Sequence, residues 1–181
     1  APIVRVRENS ETMITRALDT GASGVQIPQI NTAESAREAV RASKFYPDGE
    51  RGVCRFTRNA KYSNIPKEEY FAKANENTLV ILQIEGAEGV ANIDRILEVP
   101  GFDVLFLGPY DLSQSIGLTG QVTHKEVLKI IENIAKKAQS KGISVGCFAD
   151  SVETVLLHRD LGIQYLSICI DTGLIYESAK Q

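Results

Sequence analysis

Six short apolar runs alternate along the chain with longer stretches in which apolar residues recur every three or four positions. Unbroken runs rich in Val, Ile and Leu are typical of parallel strands buried on both faces. The longer period is that of helices packed against a sheet. The pattern therefore predicts strands at 3–6, 24–28, 79–84, 104–107, 143–148 and 165–170.

The stretches between these runs carry signals for the start and end of helices. Asn31 or Thr32 is expected to cap one helix, Pro66 to occupy the first position of another, and Thr123 to cap a third. Gly162 follows a helix that starts near Ser151. The predicted helices cover 11–19, 33 onward, 67–75, 86–100 (one crossover helix), 123–140, 151–161 and a short segment after 171.

A long polar segment, 46–63, separates the second predicted helix from the third. It contains a cluster of cations at Arg51, Arg55, Arg58 and Lys61. A loop of this length inside one domain is usually functional. The segment is therefore either a solvated loop or an anion-attracting lid over a site.

The alternation amounts to six β-α units, all parallel by pattern. Eight such units in about 250 residues form a closed barrel. Six units in 181 residues form either an open doubly wound sheet or most of a barrel with two units missing at the front. A chain that starts almost directly on a strand favours the barrel. We therefore predict one α/β domain over 1–181, of the (β/α)8 TIM-barrel type, with about six βα units present.

Two carboxylates follow neighbouring predicted strands. Glu85 comes directly after the run 79–84, and Asp111 follows the run 104–107. Adjacent parallel strands lie about 4.8 Å apart, so both side chains are expected at the carboxyl edge of the sheet, where α/β enzymes place their chemistry. From spacing alone the pair is either a hard-cation site or two carboxylates that cap helices or meet solvent.

Composition narrows the possible classes of protein. Hydrophobic residues make 43% of the chain, charged residues 24%, and the net charge is −3. No basic field indicates nucleic acid or an anionic membrane, and no apolar run approaches the ~20 residues of a membrane span. The three cysteines, Cys54, Cys147 and Cys169, form no CxxC pair and are expected to be free core thiols in a reducing, cytoplasmic compartment.

Several motifs resemble one known family in their order along the chain. They are A-P-I-V-R (1–5), G-V-Q-I-P (24–28), Y-P-D-G-E-R-G-V (46–53), L-Q-I-E (82–85), G-P-Y-D-L-S-Q-S-I-G (108–117) and I-D-T (170–172). This pattern resembles the HpcH/HpaI aldolases, which are metal-dependent (class II) pyruvate aldolases related to citrate lyase β-subunits. The resemblance extends over 1–176, and the pairing of Q-I-E with G-P-Y-D-L-S is its most specific part.

The resemblance implies roles for individual residues. Glu85 and Asp111 match the family's two carboxylate metal ligands, and Arg5 matches the arginine that contacts the keto oxygen of pyruvate. Gln83 matches a glutamine beside the metal. The segment that holds the pyruvate carboxylate matches Gly108, Pro109, Tyr110 and Asp111. From the residues alone, Arg5 could instead form a salt bridge, Asp111 cap a helix, and Tyr110 merely cover the pocket.

The resemblance also implies a TIM barrel, a homo-oligomer (a hexamer of paired subunits that exchange their last helix), and a general base. In the family that base is a histidine with a nearby aspartate after the second strand. Arg5 would belong to the third strand, so the sequence has no counterpart of the base. Of the two histidines, His124 is expected to be structural at a helix start and His158 to lie on the surface.

The implied chemistry is reversible cleavage of a 4-hydroxy-2-oxo acid to pyruvate and an aldehyde. Such cleavage needs either a Schiff-base lysine or a Lewis-acid cation. The lysines, such as Lys44, Lys61, Lys125 and Lys141, fall outside the predicted strands. Two carboxylates suit Mg²⁺ or Mn²⁺, with Co²⁺ as a third candidate. Two alternatives remain: a citrate-lyase-β-like lyase acting on a CoA thioester, and a non-catalytic remnant that binds metal or oxo acid.

Overall fold

All the strands of the chain belong to one parallel sheet. The computed structural model describes residues 1–180. The strands are β1 Ile3–Arg5, β2 Gly24–Ile27, β3 Leu79–Ile84, β4 Val104–Leu107, β5 Ser144–Ala149 and β6 Tyr165–Ile168. They pair in the order β1-β2-β3-β4-β5-β6. A doubly wound sheet would reverse its strand order at a switch point. The sequential order is that of a partial (β/α)8 barrel, which confirms the predicted fold class.

Helices follow each strand, as the pattern predicts. They are α1 Glu11–Asp19, α2 Ala33–Ser43, α3 Lys67–Asn77, α4 Ala87–Ala91, α5 Ile93–Ile96, α6 Pro109–Ser115, α7 Lys125–Gln139, α8 Val152–Asp160 and α9 Asp171–Ala179. The single crossover helix predicted within 86–100 is wrong. The chain breaks there into α4 and α5 at Asn92, which leaves helical geometry. Within residues 1–180, no helix is long and apolar enough to cross a membrane.

The helix starts differ in detail from the predictions. Thr32 caps α2 in a capping box with Ser35, as one of the two expected caps. Pro66 is the N-cap of α3 rather than its first residue, because its ψ of 140° is extended. His124, not Thr123, caps α7, and its side chain accepts a hydrogen bond from the backbone N–H of Glu126. His124 is therefore structural, as expected.

The sheet separates two apolar regions. The larger core lies between the strands and helices and includes Ile14, Leu82, Leu105 and Ile131, all fully buried. A smaller cluster on the inner face of the sheet joins Ile81, Val104 and Phe106 to Ile3, Phe148 and Tyr165. Every residue of β4 is buried, as expected for a strand covered on both faces.

The cation-rich segment 46–63 lies at the amino-terminal edge of the sheet. Arg51 is buried and its guanidinium contacts Asp19, at the end of α1. The side chain of Arg58 lies against Gly21, which precedes β2, and Arg55 donates to the carbonyl of Ile65. Of the two alternatives for this segment, the lid over the carboxyl-edge carboxylates is therefore wrong, because α2 carries the chain to the opposite edge before the segment begins.

Two further expectations about side chains are wrong. His158 is fully buried, because this face of α8 packs on β5, where its Nε2 lies 3.9 Å from Cys147 Sγ. Cys54 is exposed and Cys169 half-buried, so only Cys147 is a core thiol. Burial raises the pKa of Cys147 to about 12, which keeps that thiol protonated.

Candidate active site

Glu85 and Asp111 meet at the carboxyl edge of β3 and β4. Ile84 pairs with Leu107 at the end of the two strands, and the N–H of Gly108 donates to the carbonyl of Ile84 at 3.0 Å. Glu85 is therefore beside Gly108, and Asp111 is the third residue of α6. Asp111 is not a helix cap, since Gly108 occupies that position. The structure thus brings the two predicted carboxylates together.

The Glu85 side chain is buried and is fixed by hydrogen bonds and close packing. Its Oε1 accepts from the backbone N–H of Gln29 at 2.9 Å, and its Oε2 accepts from the amide of Gln83. Gln29 adopts a left-handed φ of 57°, which is unusual for a residue other than glycine. A side chain at Gly108 would bring its Cβ within 2.9 Å of Glu85 Cβ. Only glycine at 108 leaves the carboxylate room in this position.

The surroundings of Glu85 shift the pKa of its carboxyl group. Burial raises the pKa of Glu85, and the charge of Asp111 and a hydrogen bond with it raise it further. The hydrogen bonds from Gln83 and Gln29 act in the opposite direction. The neighbours of the carboxylate are thus one acid and two neutral donors, an environment that a cation would stabilise.

A cavity of about 500 Å³ opens on the inner side of the sheet beside this pair, and Asp111 lines it. Phe106, Phe148 and Tyr165 form its apolar wall. The predicted site residues that line it are Arg5, Gln83, Gly108, Pro109, Tyr110 and Asp111. Glu85 contacts two of these residues, Gln83 and Asp111. All the predicted site residues therefore lie at or directly beside one cavity.

Tyr110 covers part of this cavity from α6. Its hydroxyl donates to Asp150, which follows β5, and its ring lies 6.2 Å from that of Phe148. The hydrogen bond to Asp150 raises the pKa of Tyr110, so the phenol stays protonated. Tyr110 is partly exposed, and it both lines the cavity and bridges the loops after β4 and β5.

Two residues of the site were missed by sequence reasoning. Asp150 comes directly after β5, and Gln26 is the polar residue within the apolar strand β2. The Nε2 of Gln26 donates to Gln83 Oε1 at 2.6 Å. The signals were present in the sequence, since Asp150 directly follows a predicted strand, as Glu85 does, and Gln26 interrupts an otherwise apolar run.

The donor set fits a hard divalent cation. Carboxylate oxygens are the ligands that Mg²⁺ and Mn²⁺ prefer, and Mg²⁺ is usually bound through one or two carboxylates together with water and substrate. Among residues 1–180, no three His, Cys, Asp or Glu side chains cluster as a larger ligand set. Asp111 is exposed and lines the cavity, so a cation held by its carboxylate would be accessible to water and to substrate oxygens.

A family model described as HpcH/HpaI aldolase/citrate lyase matches residues 1–177. The chain belongs to this family. A hydroxypyruvate/pyruvate aldolase of Paraburkholderia phytofirmans is 35% identical, over 99% of this chain and 70% of that protein. A 2-keto-3-deoxy-L-rhamnonate aldolase of Escherichia coli K12 is 34% identical, over 99% of this chain and 67% of that protein. The predicted family is therefore confirmed.

Solved structures give the same result for the fold. A family member from Burkholderia cenocepacia superposes with a TM-score of 0.93 at 33% identity, covering 99% of this chain and 71% of that one. An HpcH/HpaI aldolase from Desulfitobacterium hafniense superposes with a TM-score of 0.90 at 31% identity, over 98% of this chain and 69% of that one. The chain spans about two thirds of the length of its curated relatives. The relatives named here are aldolases, which confirms the expected enzyme class at the level of the family.

Proposed function

We propose that this chain forms the metal- and oxo-acid-binding part of a class II aldolase. The reaction is the reversible cleavage of a 4-hydroxy-2-oxo acid to pyruvate and an aldehyde. The observation that carries the proposal is the meeting of Glu85 and Asp111 at the edge of one cavity that Arg5 also lines. The aldolase names of the curated relatives support the same reaction class.

Glu85 and Asp111 would hold the divalent cation, with Mg²⁺ and Mn²⁺ as the leading candidates and Co²⁺ as a third. When bound, such a cation supplies Lewis-acid polarisation of the C2 keto oxygen. The position of Glu85 supports this role, because Gln29 and Gln83 fix both carboxylate oxygens while Asp111 supplies a second negative charge. The cation would therefore meet a carboxylate that is already oriented.

Arg5 would stabilise the negative charge that develops on the keto oxygen. It ends β1 and is exposed to the cavity, and no carboxylate within residues 1–180 forms a salt bridge with it. An arginine at such a position keeps its charge and donates several hydrogen bonds in a fixed plane. Loss of one such contact to a developing oxyanion typically costs about 10²–10³ in rate.

The first turn of α6 would receive the substrate carboxylate. Pro109 has no N–H, so the free donors at this turn are the backbone N–H groups of Tyr110 and Asp111. The N–H of Leu112, the next residue, is already bonded to the carbonyl of Gly108. Gln83 lines the same cavity beside these groups. Together these groups would bind and stabilise the pyruvate half of the substrate.

The proposal extends to assembly and location. Leu174, Ile175 and Tyr176 of α9 are exposed, which supports burial of this helix against another copy in a homo-oligomer, a hexamer in the resemblance described above. Cys54, Cys147 and Cys169 are free thiols, which supports a reducing, cytoplasmic compartment. The substrates are small molecules, and neither nucleic acid nor membrane is part of the proposed function.

The test is a Mn²⁺ titration of the chain followed by electron paramagnetic resonance, with and without oxalate or pyruvate. We expect binding that the oxo acid strengthens. In Arg5→Ala, Mn²⁺ affinity should stay within about twofold of wild type, since Arg5 holds no metal, while the strengthening by oxo acid is lost. In a turnover-competent assembly the same variant should lose about 10²–10³ in kcat.

The outcomes separate the alternatives. No Mn²⁺ binding by a folded chain would contradict the proposal. Binding of Mn²⁺ and oxo acid without aldol cleavage, under conditions in which related aldolases are active, would indicate a non-catalytic oxo-acid-binding protein. Displacement of the oxo acid by an acyl-CoA would indicate a citrate-lyase-β-like activity instead.

A further inference from the structure

Gln26 is a polar side chain in the middle of an otherwise apolar strand. Its neighbours along β2, Val25 and Ile27, are fully buried in the core between sheet and helices. Gln26 therefore points to the opposite, inner face of the sheet, where it lines the cavity. Its register neighbours are Arg5 on β1 and Ile81 on β3. Gln26 is half-buried there, and an amide in such a position is expected to have a hydrogen-bond partner.

The direction of the hydrogen bonds around Gln26 is set by Glu85. An ionised carboxylate can only accept, so Gln83 must turn its Nε2 toward Glu85 Oε2. The amide of Gln83 then has its Oε1 on the other side, facing Gln26. Gln26 Nε2 donates to that oxygen at 2.6 Å. The three side chains form one chain of donors and acceptors that runs from Gln26 through Gln83 to Glu85.

Gln83 is only 6% exposed, so its orientation depends on these two partners. In the reverse orientation, its oxygen would face the carboxylate of Glu85 and the two negative ends would repel. Without a donor at position 26, the correct orientation leaves Gln83 Oε1 without a partner in a buried place. Gln26 therefore supplies the hydrogen bond that Gln83 Oε1 needs when the Gln83 Nε2 faces Glu85.

We infer that Gln26 is a positioning residue, which orients the amide of Gln83 and through it the carboxylate of Glu85. The inference rests on the proposed function, since the purpose of the oriented carboxylate is to hold the cation. Outer partners of metal ligands fix ligand geometry and contribute to affinity although they never touch the metal. Gln26 would thus act on the cation through two intervening side chains, Gln83 and Glu85, from a strand that contributes none of the predicted ligands.

Two substitutions that keep the length of the side chain separate the effect of the Gln26 hydrogen-bond donor from the effect of its volume. Gln26→Met removes both the donor and the acceptor and keeps a flexible chain of comparable size. Gln26→Glu keeps an acceptor and removes the donor, so a carboxylate oxygen would face Gln83 Oε1 and the two oxygens would repel each other. Gln164→Met is the matched control. Gln164 directly precedes β6, and its Oε1 accepts from the N–H of Val145 near the start of β5, so this side-chain hydrogen bond also joins two strand segments but lies at the amino-terminal edge of the sheet.

The first measurement uses the metal-free chain, with nitrogen-15 in its glutamine side chains, and nuclear magnetic resonance. We expect the two side-chain N–H signals of Gln83 to be well dispersed and slow to exchange with water. Gln26→Met and Gln26→Glu should shift them and make exchange at least about fivefold faster, whereas Gln164→Met should leave them unchanged. Unchanged Gln83 signals in both Gln26 variants would overturn the inference.

The second measurement is Mn²⁺ affinity. We expect Gln26→Met to weaken it about threefold to tenfold, below the 10- to 100-fold typical of groups that contact a ligand directly. Gln26→Glu should weaken it more. In a Gln83→Met background, Gln26→Met should add nothing, because the path to Glu85 is already interrupted.

A different pattern would assign Gln26 another role. If Mn²⁺ affinity stays at the wild-type value while only the KM for the oxo acid rises, Gln26 contacts substrate directly and the inference is wrong. If only thermal stability falls, Gln26 is structural and the inference is again wrong. A wild-type chain that binds no Mn²⁺ contradicts the proposed function instead, and the resonance measurement still decides whether Gln26 orients Gln83.

Discussion

The two edges of the sheet both bury charged side chains, but they surround them differently. At the amino-terminal edge, Lys44 and Arg51 are 7% and 2% exposed. Lys44 Nζ donates to the carbonyls of Asn75 and Thr78, both at 2.7 Å, and Arg51 contacts Asp19 at 2.6 Å. Each cation thus has at least one acceptor, and the two cations connect the carboxyl-terminal ends of α1, α2 and α3.

The carboxyl-terminal edge has the opposite arrangement. Glu85 is 7% exposed, and its charged neighbour is another acid, Asp111. Burial lowers the pKa of Lys44 while Asp103 and Asp48 oppose that change. For Glu85, by contrast, burial and the charge of Asp111 both raise the pKa. One edge is arranged for stability, and the other tolerates repulsion that a bound cation would relieve.

Cavity size does not distinguish the two edges. The amino-terminal cavity, of about 400 Å³, includes Gly21, Lys61, Tyr70 and Lys73 in its lining. The carboxyl-terminal cavity, of about 500 Å³, is similar in size. The difference lies in the charges that converge there. A functional site is therefore better recognised by unbalanced like charge than by volume.

The largest expected effect is the loss of metal binding when one carboxylate of the carboxyl-terminal edge is removed. Asp111→Asn should weaken Mn²⁺ binding by more than about 100-fold, since even groups outside the ligand shell contribute about 10- to 100-fold. The metal-free variant should be as stable as wild type or slightly more stable, because the repulsion between Glu85 and Asp111 is removed. Mn²⁺ titration and urea unfolding measure the two quantities.

Asp103→Asn provides the matched control at the other end of β4. Its Oδ2 accepts from the N–H of Val80 at 2.8 Å, so its loss should reduce stability and leave Mn²⁺ affinity unchanged. The comparison of the two edges would fail if both variants lowered stability equally, or if Asp103→Asn also weakened Mn²⁺ binding.

The next effect tests the amino-terminal edge. Arg51→Met should destabilise the chain by about 2 kcal/mol, because it removes a charged hydrogen bond between a buried arginine and a partly exposed aspartate. It also removes a guanidinium that lies 4.6 Å from the centre of the Phe45 ring. Mn²⁺ affinity should not change. Arg58→Met, at an exposed arginine of the same segment, should cost less than about 0.5 kcal/mol.

A weaker Mn²⁺ affinity in Arg51→Met, at a temperature where the variant is fully folded, would show that the two edges are coupled. Equal destabilisation by Arg51→Met and Arg58→Met would show that the ion pair with Asp19 contributes nothing special. Chemical unfolding at pH 7 measures both variants under one condition.

The periodicity of the chain predicts much of this molecule because strands and helices depend on local pattern. β3 and β4 lie where the apolar runs 79–84 and 104–107 place them. Their adjacency follows from the short crossover between them. The position of Glu85 beside Asp111 then follows from strand pairing alone, with no knowledge of distant contacts.

Contacts between distant segments were not predictable in this way. The edge that the segment 46–63 occupies follows from the β-α alternation, because α2 must return the chain to the amino-terminal edge before the next parallel strand. Its contact with α1, between Arg51 and Asp19, does not follow from that alternation. The burial of His158 depends on which face of α8 meets β5, and that helix has no clear apolar stripe. The pairing of Gln26 with Gln83 joins residues that are 57 positions apart.

The smallest expected effect concerns His158, a buried titratable group between the two edges, behind the sheet. Burial lowers the pKa of His158 from 6.5, and Asp150 partly opposes this. The unfolded chain therefore binds a proton near pH 6.5 that the folded chain accepts only at lower pH, so stability falls as the pH drops through this window. His158→Leu should remove this loss, which we expect to be on the order of 1 kcal/mol between pH 7 and 5. Urea unfolding at both pH values measures it, with His124→Asn, which keeps a capping side chain, as the control. An equal loss in wild type and His158→Leu would assign the acid sensitivity to another group.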